Sequence, residues 1–217
     1  MLKYKCNLLK IICIFIIAIF LFPTICIASE SIYTWSNNAK PLTETIPTNA
    51  TTSLSLNVGS AVLIEQNSGQ VLYNQNMHEK LRPASVTKVM TILLIMEAID
   101  SGKLSYTDKI PCSEKAAGMG GSQIWLDVRE ELTVDEMLKA ICVVSANDCT
   151  VAMAEYLAGS EEAFVNQMNA KAKELGMNDT TFKNCHGIDE DGHVTSAYDI
   201  ALMSRDLLTK HPSITKY

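Results

Sequence analysis

The sequence predicts an α/β protein of the α+β type: one β-hairpin followed by a helical body. Three observations carry this. Two β-rich runs within VGSAVLIEQNSGQVLYNQN (58–76) flank the turn residues Asn67-Ser68-Gly69. After Pro83 the apolar pattern changes to helical spacing. Four more helix start and stop signals then follow with little strand signal between them, and elements segregated in this way mark an α+β architecture.

Ahead of the hairpin, MLKYKCNLLK carries three lysines and no acid, then leads into the 12 apolar residues IICIFIIAIFLF. That run is shorter than the roughly 20 residues a spanning helix needs. Pro23 interrupts it, and Cys26-Ile27-Ala28 ends it with small residues. Residues 1–28 therefore read as a cleavable export signal cut after Ala28, which places the protein in the extracytoplasmic cell envelope. An uncleaved anchor is the alternative; a lipid on Cys26 is disfavoured by the bulk of Ile25. Residues 29–56, rich in Ser, Thr, Asn and Pro, read as a flexible linker. The folded domain is expected over 57–217.

Without the leader, 15 basic residues face 24 acidic ones, a net charge of −9. Such a chain lacks the basic footprint of a nucleic-acid binder. Cys112, Cys142, Cys149 and Cys185 remain, an even number, but their spacing resembles no disulfide framework and free or buried thiols are expected. No cofactor is indicated.

The first helix is expected over 85–100. Val86, Val89, Met90, Leu93 and Leu94 recur at helical spacing, Ile92 and Ile95 fill the other side, and Asp100-Ser101-Gly102 stops it. Apolar nearly all round, it should be buried. Thr133 and Glu136 stand in capping-box spacing and open a helix to about 143. Another spans 148–158 up to Gly159. The next starts near Ser160, presents Phe164, Met168 and Leu175 on one face, and stops at Gly176. The last runs from 197 to 209, with Ser196 and Asp199 again in capping-box spacing.

Ser85 and Lys88 lie at i and i+3, neighbours on one helical face. A serine hydroxyl becomes a competent nucleophile when a base takes its proton. A lysine serves as that base when burial lowers its pKa, and Val86, Val89, Met90 and Thr91 suit desolvation. The bland alternative is a serine that merely caps a helix. Ser145-Ala146-Asn147 falls in a helix-to-helix turn, where a hydroxyl and a carboxamide can point into a cleft. The bland alternative there is local turn hydrogen bonding.

SVTKVMTILLIMEAID, GMGGSQIWLDVREELTVDEMLKAICVVSANDCTVAMAEYLAG and LGMNDTTFKNCHGIDEDGHVTSAYDIALMSRDLL together resemble the low-molecular-mass penicillin-binding proteins, the serine D-Ala-D-Ala carboxypeptidases of peptidase family S11. The resemblance covers about residues 56–217. It implies a β-lactamase/transpeptidase-like fold and a hydrolase acting in peptidoglycan synthesis and cell shape. Ser85 would attack the carbonyl between the terminal D-alanines of a stem peptide and Lys88 would accept the proton. Ser145 would pass a proton to the leaving D-alanine, and Asn147 would position the substrate. β-Lactams would acylate Ser85 as mimics of that dipeptide.

The family's K-T-G element is not among the 217 residues: Gly102-Lys103 has the reverse order, and Lys210 is followed by His211. In the family this element lies on a later strand and supplies a cation for the substrate carboxylate. Residues 57–217 are thus read as a partial catalytic domain, inactive by itself, with the later strands and any membrane-binding segment expected beyond residue 217. A β-lactamase-like hydrolase is disfavoured, since Glu174-Leu175-Gly176-Met177-Asn178, the nearest string to E-x-x-L-N, carries Met177 in place of its Leu, and Ala146 replaces the Asp of S-D-N. An inactive cell-wall-binding remnant is the other alternative. His186 and His193 in HGIDEDGH invite a metal, but no H-E-x-x-H is present and an acidic surface turn is the expected reading. Met90, Met96 and Met168 are expected in the core.

Overall fold

A computed structural model of the chain describes Leu54 and residues 56–217. The expected export signal (1–28) and nearly all of the expected linker (29–56) lie outside the described residues. Among the described residues, no helix is long and apolar enough to cross a membrane.

The hairpin forms as expected. β1 (Ala61–Ile64) and β2 (Val71–Gln75) pair antiparallel, with Ala61 opposite Gln75 and a register shift between Leu63 and Ile64. In the turn, the Glu65 carboxylate accepts from the backbone N–H groups of Asn67 and Ser68, and Gly69 takes φ +75°.

The predicted buried helix is α1 (Lys88–Asp100), preceded by a 3₁₀ turn over Ala84–Thr87. That turn changes the expectation for Val86. It stands 40% exposed, because the tighter winding carries it off the apolar face. Met90, Leu93, Ile95 and Met96 are fully buried, each contributing about 1.5–3 kcal/mol by removal from water.

Sequence pattern did not disclose a second, short antiparallel pair, β3 (Lys109–Pro111) with β4 (Glu131–Thr133), or the one-turn helix α2 (Glu114–Ala117). The Thr133–Glu136 capping box forms in full and opens α3 (Val134–Lys139). A π-helical turn, Ala140–Val144, carries it to Ser145. α4 (Asn147–Ala158) ends at left-handed Gly159, and α5 (Glu161–Glu174) begins at Ser160, whose side chain accepts from the Ala163 N–H. α6 (Ala197–Lys210) leads into a 3₁₀ turn over Pro212–Lys216.

At α6 only half of the expected capping box is made. Ser196 Oγ accepts from the Asp199 N–H. The Asp199 carboxylate instead accepts from the Asp179 N–H and Thr180 Oγ1, and so ties the chain before the last helix to its first turn.

α1 packs against α4, α5 and α6, and α6 also covers β1. Arg205 on α6 donates to the carbonyls of Gln66 and Asn67 and fixes the hairpin turn. α1 is therefore the central strut, with its N-terminal end at the candidate site. Met90, Met96 and Met168 are core residues, as expected. Cys112, Cys149 and Cys185 are buried free thiols and Cys142 is an exposed one.

Candidate active site

The turn that opens α1 brings Ser85 and Lys88 together: Lys88 Nζ donates to Ser85 Oγ at 3.2 Å. Ser85 is exposed, whereas Lys88 is only 3% exposed. No carboxylate forms a salt bridge with Lys88 among the described residues. Its second partner is the backbone carbonyl of His186, at 2.7 Å. Burial without a counter-charge lowers the Lys88 ammonium from 10.5 to about 8.

The residues around 185–193, expected as an acidic surface turn, supply that carbonyl. Asp189 and Asp191 are exposed, as expected of such a turn, and form ion pairs with Arg82 just before the turn that carries Ser85. His186 and His193 are instead buried, at 7% and 2% exposure. Both work as hydrogen-bonding struts. His193 Nδ1 accepts from the Lys183 N–H, so Nε2 carries the proton and donates to Thr87 Oγ1 at 2.7 Å. His186 Nδ1 accepts from the Ile188 N–H, and Nε2 faces Glu161 Oε1 at 3.4 Å. Burial lowers the pKa of both histidines, favouring neutral rings.

Two more contacts complete this clamp. Thr91 Oγ1 donates to the Cys185 carbonyl at 2.6 Å. Gly187, at φ +94°, lies so close that a Cβ there would stand 1.9 Å from the Ala84 carbonyl oxygen. Only glycine fits both that backbone angle and that approach. Ala84 itself has φ +46°. The 185–193 segment thus holds the backbone on both sides of Ser85.

Glu161 anchors the segment from behind. It accepts from Lys115 Nζ at 2.7 Å and from the Cys185 N–H at 3.1 Å. Its burial opposes ionisation, but these donors outweigh burial and bring its pKa below the usual glutamate value.

Ser145 and Asn147 occupy the predicted turn, for a reason specific to the π-helical turn. The N–H groups of Ser145 and Ala146 both reach the Ala140 carbonyl, and Ser145 is left half-buried at φ +61°, a left-handed conformation rare for a non-glycine residue. Asn147 is 5% exposed; its N–H donates to the Ser122 carbonyl and its Nδ2 to the Gly120 carbonyl, both at 2.7 Å. Neither Ser145 nor Asn147 is hydrogen-bonded to Ser85 or Lys88 among the described residues. The two pairs are joined through the packing of α4 on α1.

Asp148, fully buried beside Asn147, was not singled out by sequence. Its carboxylate accepts from the N–H groups of Ile124, Leu126 and Cys149. Together with Asn147 it sews the loop Gly118–Val128 onto the start of α4. An acid directly after S-A-N, at the first turn of a helix, was the available signal.

The family model described as "D-alanyl-D-alanine carboxypeptidase" (peptidase S11) matches residues 47–217. The chain belongs to this family. Over 167 residues it is 58% identical to D-alanyl-D-alanine carboxypeptidase DacF of Bacillus subtilis, a match that covers 77% of this chain and 43% of that protein. The chain thus spans less than half the length of this relative. Among solved structures it is similar to D-alanyl-D-alanine carboxypeptidase DacD of Francisella tularensis (TM-score 0.73, 35% identity, 74% of this chain and 39% of that one). It is also similar to penicillin-binding protein D2 of Listeria monocytogenes in an ampicillin-bound form (TM-score 0.66, 30% identity, 75% and 66%).

Proposed function

We propose that the protein to which this chain belongs is a serine D-Ala-D-Ala carboxypeptidase that removes the terminal D-alanine from peptidoglycan stem peptides. The observation that carries this reading is the buried Lys88, hydrogen-bonded to the exposed Ser85 hydroxyl and held by a carbonyl instead of a carboxylate. Neutral Lys88 takes the proton as Ser85 Oγ adds to the scissile carbonyl. The tetrahedral intermediate collapses to an acyl-enzyme as the C–N bond breaks, and Ser145 delivers a proton to the departing amine. Water then cleaves the ester and regenerates Ser85.

The Ser145 hydroxyl, which has no hydrogen-bond partner among the described residues, and its left-handed backbone support the relay role. Asn147 Nδ2 is committed to Gly120, so its carbonyl oxygen is the atom offered to a substrate N–H. The cation for the substrate carboxylate is assigned to the K-T-G element of the whole protein. A β-lactam presents a carbonyl and a carboxylate in the places of the dipeptide and acylates Ser85. Residues 1–28 act as the export signal, 29–56 as the linker and 57–217 as part of the catalytic domain, in the cell envelope, with membrane attachment through a segment beyond residue 217.

The test is labelling with a fluorescent penicillin, together with D-alanine release from a stem pentapeptide, on the intact gene product. Wild type labels and releases D-alanine, while Ser85→Ala does neither with an unchanged far-ultraviolet spectrum. Label that survives Ser85→Ala, or no label on folded wild type, would overturn the proposal.

A further inference from the structure

At the far end of α1 from Ser85, Glu97, Asp206 and His211 converge, each offering a ligand atom within 4.8 Å of the others. Among the described residues, two atoms in this cluster are buried without a hydrogen-bond partner, Asp206 Oδ2 and His211 Nε2. His211 is 6% exposed, so its unpaired nitrogen is deep in the protein. Leaving one such polar atom buried and unpaired costs about 1–3 kcal/mol, and two side by side mark a place for something that bonds to both.

The surroundings favour a cation. Asp100 Oδ2 is 2.5 Å from His211 Nδ1, which fixes the proton there and presents Nε2 as a lone pair, the arrangement of a carboxylate-oriented metal-binding histidine. The other oxygen of Asp206 is held by Lys210 at 2.6 Å, and Glu97 Oε1 by Lys171 at 2.8 Å, which orients both carboxylates. Lys171 is shared with Glu174. Four carboxylates (Glu97, Asp100, Asp206 and Glu174) are therefore offset by two ammonium groups, and the remaining charge of −2 is that of a site for a divalent ion.

We infer that Glu97, Asp206 and His211 form a binding site for a divalent first-row transition ion, zinc above all, that clasps the C-terminal ends of α1 and α6. One imidazole nitrogen and two carboxylate oxygens suit zinc, with water as the fourth ligand. Bonds of about 2.0–2.1 Å require ligand atoms about 3.3 Å apart, so the side chains close slightly around the ion. Glu97, with 31% of its side chain exposed, marks the entry side. Nine residues along α1 separate Glu97 from Lys88, about 13 Å of axial rise, so the ion is structural and takes no part in acyl transfer.

The test is titration of the chelator-treated protein with zinc sulfate, read by calorimetry and by metal content after dialysis, with cobalt(II) absorption as a second reading. Cys142→Ser serves as the background, so that the exposed thiol cannot contribute. One ion per chain is expected, without a thiolate charge-transfer band, and with a rise in melting temperature of roughly 5–10 °C at 100 times Kd. Asp206→Asn and His211→Gln should weaken binding at least 100-fold. Glu97→Gln, which alters a half-exposed side chain and preserves the fold, should weaken it about 10-fold or more. Absence of saturable zinc binding by wild type would overturn the inference and leave a buried water as the partner of the two atoms. Binding unaffected by Glu97→Gln and Asp206→Asn would overturn it equally.

Discussion

If Lys88 is the base, acylation of Ser85 must follow the ionisation of a lysine lowered to about 8. About one tenth of such a lysine is neutral at pH 7, half at pH 8 and nine tenths at pH 9. At its ordinary value of 10.5 only about 3 in 10⁴ would be neutral at pH 7, so burial makes the base roughly 300-fold more available. The second-order rate constant for fluorescent-penicillin acylation of the intact gene product should rise about tenfold from pH 7 to pH 9 and then level off. Lys88→Arg keeps a buried cation that cannot act as base, so it should lower the rate by about 10²–10⁴ and flatten the profile.

The same depression has a stability sign. The folded-state pKa lies below the unfolded one, so burial penalises the charged form. The penalty is full below about pH 8 and is relieved as pH rises towards 10.5, about 3 kcal/mol in all. Stability should therefore climb across that window in wild type, and this component should vanish in Lys88→Met. An inflection of the acylation profile near pH 6.5 would point to an imidazole, and one above pH 10 to an unshifted lysine. Either result, or a Lys88→Arg variant that acylates normally, would refute the reasoning.

Gly187→Ala forces a Cβ to within 1.9 Å of the Ala84 carbonyl at φ +94°; strain and overpacking together should cost about 3–5 kcal/mol, lowering the melting temperature by roughly 10 °C and acylation with it. Asp148→Asn weakens three backbone bonds in the core and should cost about 2–3 kcal/mol by thermal unfolding, with faster proteolytic nicking in 118–128 as the local sign. Glu161 has a folded pKa below its unfolded 4.5, so its contribution is full above that value and lost as pH falls through the folded one; Glu161→Gln should remove that part of the acid sensitivity in melts between pH 3 and pH 6.

What could be read from sequence was what local chemistry decides. The hairpin turn, the largely apolar α1, the Thr133 capping box and the Gly159 stop are each written within a few consecutive residues, and all four form. β3 and β4 were invisible because three residues give no alternation to count, and because Lys109 and its partner Thr133 are 24 positions apart. The π-helical turn before Ser145 leaves no sequence period of its own. The Ser85–Lys88 pair was legible because one helical turn makes it. Its support was not: Thr87–His193, Lys88–His186 and Thr91–Cys185 span 94 to 106 positions and obey no periodicity. Asp199 shows the same limit from the other side, since a residue with capping-box spacing was taken by a tertiary partner.

That long-range support also explains how a lysine can be buried and still serve as the base proposed above. A carboxylate would be the ordinary partner for a buried ammonium, yet its charge would raise the pKa and leave far less of Nζ neutral near pH 7. A carbonyl and a hydroxyl satisfy the donors without that effect, and Lys88 has both. The nearby carboxylate of Glu161 is occupied by Lys115 and the Cys185 N–H. Its charge is thereby used to fix the segment that carries the His186 carbonyl, while Lys88 itself meets only neutral groups. On this argument Lys115 protects the base indirectly. Lys115→Met would free Glu161 to attract other cations, and the acylation inflection should then move upward from about 8. An inflection that stays in place in Lys115→Met would show that Glu161 is held away from Lys88 by the backbone alone.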